Sequence, residues 1–334
     1  MKRIGIIGAG AWGTALAMVA RRAGLSVVIQ AREADVVDSI NNACENSAFL
    51  PGVALDPAIQ ATTKVAEAAA GADAVLLTVP SQFLRAAIGE LKGRLGDAVP
   101  VVICAKGIEQ TSHALMSEII EDVLGAAPVA VLSGPTFAAE VAADLPAAVT
   151  LAGTDEAMVT RLSEALVTPR FRPYRSDDII GAQIGGAVKN VLAIGCGIVE
   201  GRGLGDNARA ALITRGMAEI VRLGTAKGAR AETLMGLCGI GDLVLTCNAM
   251  QSRNFSLGVG LGRGETLDEI LGARTSVAEG VSNASSISEL AAILNVDMPI
   301  CLAVDGILNR NADIDATIAG LLSRPVKVET GGKI

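Results

Sequence analysis

The sequence predicts an α/β fold, with a doubly wound N-terminal sheet followed by an all-helical C-terminal domain. In the first half, short β-branched runs alternate with helical stretches, as in sheets built from β-α-β units. From about Asp177 onward, long Ala- and Gly-rich helical stretches replace the strand-like runs. At 334 residues the chain exceeds a comfortable single core. We therefore predict two domains, 1–180 and 181–334.

Six near-continuous apolar runs are typical of strands buried on both faces of a sheet. They cover residues 3–7, 27–30, 74–79, 101–105, 129–132 and 147–151. Three of them end in small or helix-breaking residues, at 78–81, 105–107 and 133–136. Because ligands of open α/β sheets bind beyond the carboxyl ends of the strands, we expect these three loops to converge near a ligand.

Helical periodicity is clearest in the second half, at residues 177–199, 207–224, 266–272 and 284–294. Asn207 precedes an amphipathic run, and it is predicted to be the N-cap of that helix. No stretch rich in Pro or Ser separates the two halves, so we expect a continuous helix or a tight junction near residues 178–182.

The amino-acid composition predicts a folded protein and disfavours a nucleic-acid-binding or membrane-spanning one. Hydrophobic residues make up 51% and charged residues 19%, which is enough apolar surface for a substantial core. The net charge of −7 argues against an extended nucleic-acid surface. The most apolar run, at 188–199, contains Lys189, so we predict no membrane span. These features predict a soluble, cytoplasmic protein that binds no nucleic acid.

The cysteine and histidine content narrows the chemistry further. Six cysteines are scattered without a Cys-x-x-Cys pair, which indicates free thiols in a reducing compartment. His113 is the one histidine, and no His-Glu-x-x-His pattern is present. We therefore predict no metal site, and a zinc-dependent dehydrogenase is disfavoured.

A Gly-x-Gly-x-x-Gly loop directly follows the first predicted strand and opens a helix. In that context Gly8 permits a tight turn, Gly10 lets the backbone approach a pyrophosphate, and Gly13 allows close helix–strand packing. The phosphates would then lie at the N-terminus of the helix. The loop predicts binding of a nicotinamide or flavin dinucleotide, although it specifies no reaction.

The end of the second strand bears on the choice of dinucleotide. An acidic residue is usual there for NAD, but this strand ends in Gln30-Ala31-Arg32-Glu33. Arg32 has the planar donor set to bind a 2′-phosphate, so NADP is favoured over NAD. The alternative is an ordinary surface arginine, with Glu33 binding the ribose.

Lys189 lies in an otherwise apolar, small-residue helix, where an ammonium group is costly to desolvate. One interpretation is an amine of lowered pKa that exchanges a proton with a substrate hydroxyl. The other is a lysine whose stem covers apolar surface while its ammonium group reaches water. The sequence leaves both open.

The helical half also holds a carboxylate and a cluster of donors. Asp242 follows Gly239-Ile240-Gly241, and Ser252-Arg253-Asn254 come ten residues later. Asp242 could hold the lysine ammonium or a substrate hydroxyl, and the three donors at a helix start would suit a phosphate or carboxylate. Taken singly, Asp242 is more often a turn residue and Ser252 a helix cap.

These motifs, in their order and spacing, resemble the bacterial-type NAD(P)-dependent glycerol-3-phosphate dehydrogenases along essentially the whole chain. The matching stretches are 8–17, 49–52, 106–109, 133–140, 189–191, 201–207, 241–243, 252–254 and 278–281. The resemblance implies reversible conversion of dihydroxyacetone phosphate to sn-glycerol 3-phosphate, usually for phospholipid synthesis. It implies a Rossmann-like N-terminal domain and NADP or NAD as cofactor. A homodimer is left open.

The resemblance also implies residue roles. Lys189 would exchange the proton at the C2 oxygen of the substrate. The substrate site would comprise Lys106, Gly134, Thr136, Lys189, Asp242, Ser252, Arg253 and Asn254. Beside the loop glycines, the dinucleotide would contact Ala11, Trp12, Arg32, Glu33, Lys106, Ala138, Arg253, Val277 and Glu279. Two alternatives are a β-hydroxyacid dehydrogenase of similar architecture and a non-catalytic dinucleotide sensor.

Overall fold

The computed structural model describes residues 1–96, 98–273 and 278–325. Its strands are β1 (Arg3–Ile7), β2 (Ser26–Gln30), β3 (Glu45–Asn46), β4 (Leu50–Ala54), β5 (Ile59–Thr62), β6 (Ala74–Leu77), β7 (Val101–Ile103), β8 (Val129–Ser133), β9 (Ala147–Ala152) and β10 (Phe171–Ser176). The helices of the first half are α1 (Ala11–Arg22), α2 (Ala34–Ala43), α3 (Val65–Ala69), α4 (Leu84–Gly89), α5 (Met116–Leu124), α6 (Ala138–Ala142) and α7 (Glu156–Leu166). A 3₁₀ turn at Ser81–Phe83 precedes α4.

The second half is helical throughout its described residues. Its helices are α8 (Ile179–Gly201), α9 (Gly205–Lys227), α10 (Ala231–Leu234), α11 (Asp242–Asn248), α12 (Arg253–Arg263), α13 (Leu267–Gly272), α14 (Glu279–Ile293), α15 (Pro299–Asn309) and α16 (Ile314–Leu322). A π-helical turn at Leu237–Gly241 leads into α11. The predicted class, an α/β sheet followed by an all-helical region, is confirmed.

The main sheet has eight strands in the order β10-β9-β8-β7-β6-β1-β2-β5. Neighbouring strands are parallel except for β8 and β9, which pair antiparallel. All six predicted strands are present, although β6 and β7 end two residues early. Strands β5 and β10 and the small β3–β4 pair were not predicted from the sequence. The loops predicted to converge follow β6, β7 and β8, which are adjacent in the sheet.

Helix α8 is the centre of the helical half. Its 23 residues are long and apolar enough to cross a membrane by length and composition, but 89% of that window is buried inside the protein. It therefore packs as a core helix. Asp178 caps it by accepting a hydrogen bond from the Gly181 N–H (2.7 Å), only two residues after β10 ends. This tight junction falls where we predict the domain boundary, and the division itself stays a prediction.

One predicted helix start is wrong. Helix α9 begins at Gly205, so Asn207 lies within its first turn and is not the N-cap. Gly203 and Gly205 adopt left-handed φ values of 66° and 85°, which turn the chain sharply after α8. The N-cap is Leu204, three residues before the predicted one.

Helices α8 and α12 touch through glycines on both sides, a contact that we call the glycine seam (Gly197, Gly201, Gly258 and Gly262). A Cβ atom on Gly197 would lie 2.1 Å from the Phe255 carbonyl oxygen. One on Gly258 would lie 2.1 Å from the Ile194 carbonyl oxygen. No side chain fits between the two backbones, so the helices cross at the closest approach that backbone atoms allow.

Candidate active site

The glycine loop between β1 and α1 has the geometry that its sequence predicts. Gly8 takes a φ of +106°, which L-residues with a Cβ rarely adopt. A Cβ on Gly13 would lie 2.0 Å from the Gly8 carbonyl oxygen, so helix and loop pack in direct contact. A Cβ on Gly10 would meet nothing within 4 Å. The loop thus leaves open space at the N-terminus of α1, where Ala11 and Trp12 are partly exposed.

A buried asparagine that the sequence analysis did not single out supports this loop. Asn46 is fully buried and donates to the Ala9 carbonyl oxygen and to Thr14 Oγ1, both at 2.8 Å. Its Oδ1 accepts from the Phe49 N–H. Because the nitrogen and the oxygen of its side-chain amide both have hydrogen-bond partners, Asn46 holds the loop in one conformation.

Arg32 and Glu33 lie at the carboxyl end of β2. Arg32 is 85% exposed, and its Nε and Nη2 both donate to Glu33 Oε1, at 2.9 and 2.7 Å. An exposed ion pair of this kind contributes little to stability. The Arg32 guanidinium group could therefore release Glu33 and bind a phosphate group in its place.

A buried carboxylate holds two lysines at the centre of the site. Asp242, at the start of α11, is fully buried. Its Oδ1 accepts from Lys189 Nζ (2.5 Å) and its Oδ2 from Lys106 Nζ (2.7 Å). The side chains of Lys189 and Lys106 are only 7% and 15% exposed. One carboxylate thus contacts two ammonium groups, so the cluster keeps a net positive charge where water barely reaches.

Thr246 completes this cluster, although the sequence analysis assigned it no role. Its hydroxyl lies 2.9 Å from Lys189 Nζ and donates to the Asp242 carbonyl oxygen at 2.6 Å. The four-residue spacing of Asp242 and Thr246 could have identified it, because residues four apart on a helix share one face. Asp242 and Thr246 therefore present their side chains to Lys189 together.

Burial lowers the pKa of Lys189 to about 8, with the nearby Lys106 charge acting in the same direction and Asp242 opposing it. The ammonium group bonds to Asp242 and Thr246 inside the protein. Of the two interpretations of Lys189, the structure therefore supports the buried amine of lowered pKa. A group that titrates near about 8 can both give and accept a proton close to neutral pH.

The loops after β7 and β8 meet at Lys106. Lys106 Nζ also donates to the Gly134 carbonyl oxygen at 3.1 Å. Gly134 has a φ of +156°, and its absent Cβ would lie 2.9 Å from Val149 Cα. Thr136 Oγ1 donates to the same Gly134 oxygen at 3.3 Å. Ala138 follows as the first, partly buried residue of α6.

The donor cluster predicted from sequence forms the start of α12. Ser252 is its N-cap and accepts from the Phe255 N–H, while Arg253 is exposed in the first turn. Asn254 is buried: its Nδ2 donates to Asn190 Oδ1 (3.0 Å) and its Oδ1 accepts from the Gly280 N–H (3.1 Å). The helix-cap interpretation of Ser252 is therefore correct, and Asn254 joins α12 to α8 and α14.

Glu279, the first residue of α14, faces the loop after β6. Its Oε1 accepts from the Ser81 N–H at 3.0 Å. Burial raises the pKa of its carboxyl group, while the Ser81 N–H and the charges of Arg253 and Lys106 act against that rise. Glu279 thus lies close enough to Arg253 and Lys106 for both charges to act on its carboxyl group. Val277, predicted to contact the dinucleotide, lies outside the described residues.

Comparison with known families accounts for both halves of the chain. The family model for the N-terminus of NAD-dependent glycerol-3-phosphate dehydrogenase matches residues 3–159, and the model for its C-terminus matches residues 178–319. The chain belongs to the NAD-dependent glycerol-3-phosphate dehydrogenase family. The resemblance drawn from the sequence motifs is confirmed.

Individual members of this family are similar over nearly their full length. A glycerol-3-phosphate dehydrogenase (NAD(P)+) of Rhodospirillum rubrum is 58% identical over 99% of this chain and 95% of its own. One from Caulobacter vibrioides is 56% identical over 98% and 99%. The crystal structure of glycerol-3-phosphate dehydrogenase from Coxiella burnetii superposes with a TM-score of 0.93 at 40% identity, covering 97% of this chain and 99% of that one.

The alternative of a β-hydroxyacid dehydrogenase was based on shared architecture. A D-mandelate dehydrogenase structure does match, with a TM-score of 0.63 but only 14% identity, over 95% of this chain and 99% of its own. That likeness shows a common fold alone. The glycerol-3-phosphate dehydrogenase family is the one shown for this chain.

Proposed function

We propose that this chain catalyses reversible hydride transfer between NADPH or NADH and C2 of dihydroxyacetone phosphate, giving sn-glycerol 3-phosphate for glycerophospholipid synthesis. The observation that carries the proposal is the buried cluster of Lys189, Asp242 and Lys106, next to the carboxyl edge of the sheet. Family membership supplies the substrate class, since the named relatives are glycerol-3-phosphate dehydrogenases.

The glycine loop fits a dinucleotide. Its open space above Gly10 adjoins the N-terminus of α1, where unpaired backbone N–H groups favour a pyrophosphate. The bound cofactor would supply or accept the hydride. Arg32 would pair with a 2′-phosphate, which is why we infer a preference for NADP over NAD. Glu33, Ala138 and Glu279 would line the remaining cofactor surface.

Lys189 is proposed to protonate the C2 oxygen during reduction. Negative charge builds on that oxygen as hydride arrives, and a cationic donor stabilises it where it develops. Asp242 keeps the ammonium form present at neutral pH despite burial. Lys106 adds a second positive charge beside the same oxygen. In the reverse direction, neutral Lys189 takes the hydroxyl proton.

The start of α12 is proposed to hold the substrate phosphate. Arg253 contributes a cation, and Ser252 and Asn254 place it by fixing the helix start. Gly134 and Thr136 would line the opposite wall. Binding of the phosphate orients C2 toward the hydride donor, which converts remote binding energy into rate.

The test is turnover of dihydroxyacetone phosphate by the purified protein, followed as loss of NADPH absorbance and repeated with NADH. We expect turnover with both and a lower KM for NADPH. Lys189→Ala should remove most of kcat while changing KM little, because its role lies in the transition state. Binding of NADPH without turnover would instead indicate the non-catalytic dinucleotide sensor.

A homodimer and a cytoplasmic location also stay predictions. They are tested by the molecular mass in solution and by cell fractionation.

A further inference from the structure

We propose that Asn283, on α14, is a positioning residue that holds Lys106 in place. Asn283 is fully buried, and its amide group binds the backbone on both sides of Gly107. Its Nδ2 donates to the Lys106 carbonyl oxygen at 3.0 Å, and its Oδ1 accepts from the Ile108 N–H at 3.4 Å. One side chain of the helical half thus fixes the loop that carries Lys106.

The fit of this loop against α14 leaves no free volume at Gly107. A Cβ atom there would lie 2.7 Å from Asn283 Oδ1 and 2.2 Å from Ser81 Oγ. Glu279 lies four residues before Asn283, on the same helix face, and accepts from the Ser81 N–H. The first turns of α14 therefore hold the loops after β6 and β7 against each other.

These contacts restrain Lys106 at both ends. Asn283 binds its backbone carbonyl group, while Asp242 and Gly134 bind its ammonium group. Because the ammonium group acts on the reacting oxygen in the proposed function, on which this inference rests, its placement determines rate. A misplacement of about 1 Å costs on the order of a hundred-fold in rate.

Asn283→Ala is the test variant and Ser286→Ala is its matched control. Ser286 is fully buried on the same helix, and among the described residues its hydroxyl bonds within α14, to the Ser282 carbonyl oxygen at 3.2 Å. We expect Asn283→Ala to lower kcat roughly ten- to a hundred-fold and to raise the KM for NADPH no more than Lys106→Ala does. Ser286→Ala should leave kcat within about two-fold.

A double-mutant cycle separates positioning from general damage. If Asn283 acts through Lys106, adding Asn283→Ala to Lys106→Ala causes no further loss of kcat. Independent, additive losses in the two variants would overturn the proposal. Gly107→Ala provides a second variant. The added Cβ lies on the loop and would push the loop away from Asn283.

Hydrogen–deuterium exchange gives a readout that needs no turnover. We expect faster exchange of the Ile108 amide in Asn283→Ala than in wild type or Ser286→Ala. Unchanged exchange would overturn the positioning role whatever the activity. Absence of wild-type turnover would instead overturn the proposed function, and the exchange data would still decide the role of Asn283.

Discussion

Replacing Asp242 with Asn tests the charge balance at the centre of the site. The substitution keeps shape but removes the one carboxylate that both Lys189 and Lys106 contact. Two charges roughly 4 Å apart at an effective dielectric constant of about 20 interact by about 4 kcal/mol. That energy corresponds to about three pKa units, since one unit is about 1.4 kcal/mol.

The pKa of Lys189 should therefore fall from about 8 in the wild type to about 5 in the variant. Near pH 7 the protonated fraction of Lys189 then falls from about nine tenths to about one hundredth. Because the proposed ketone reduction uses the protonated amine of Lys189, kcat for reduction should fall on the order of a hundred-fold at that pH. It should recover as the pH is lowered toward about 5.

The assay is NADPH oxidation with saturating dihydroxyacetone phosphate across a pH series, for wild type and Asp242→Asn. In wild type, kcat for reduction should decline as pH rises through about 8. Circular dichroism and NADPH binding check that the variant remains folded, since removing one partner of a buried ion pair costs several kcal/mol. A folded variant whose kcat is reduced equally at every pH would refute the reasoning.

Three further substitutions probe the rest of the site. Arg253→Ala should raise the KM for dihydroxyacetone phosphate roughly ten- to a hundred-fold, as expected for a charged hydrogen bond, and an unchanged KM would remove it from the phosphate site. Arg32→Ala should raise the KM for NADPH about ten-fold but not that for NADH; Arg172→Ala, at the opposite edge of the sheet, serves as the control, and equal effects on both cofactors would argue against a 2′-phosphate contact. Asn46→Ala should weaken NADPH binding about ten-fold by freeing the glycine loop, measured by quenching of Trp12, the one tryptophan. Unaltered quenching would mean that the loop needs no such support.

Much of the fold was predictable because its signals are local. The apolar runs of β1, β6 and β7 identify strands buried on both faces, and Gly8 and Gly13 identify the loop between β1 and α1. Strand β10 was missed because it is an edge strand in which only Phe171 is buried, so it tolerates Pro173 and two arginines, Arg172 and Arg175. Its sequence therefore lacks the continuous apolar run of an inner strand.

The candidate site was only partly predictable, for a different reason. Lys189 and Asp242 stood out because each is a charged group in an apolar or glycine-rich setting. Asn46 and Asn283 did not, since each acts on a backbone group at least 37 residues away in sequence. A polar residue gives no local sign of the distant carbonyl group that it binds.

The glycine seam has a consequence for substrate length. Helix α8 carries Lys189, and α12 begins with Arg253. In the proposed function, the separation of the two helices therefore affects the distance between the proton donor and the phosphate-binding arginine. Interaxial distance normally varies with the side chains at the contact. Here main-chain atoms meet directly, so the separation of the two helices at the seam is already at its minimum. The two helices that carry Lys189 and Arg253 therefore cannot move closer together. Under the roles proposed for Lys189 and Arg253, we expect sugar phosphates with a longer carbon chain to be poorer substrates, and larger residues in the seam to move the two helices apart.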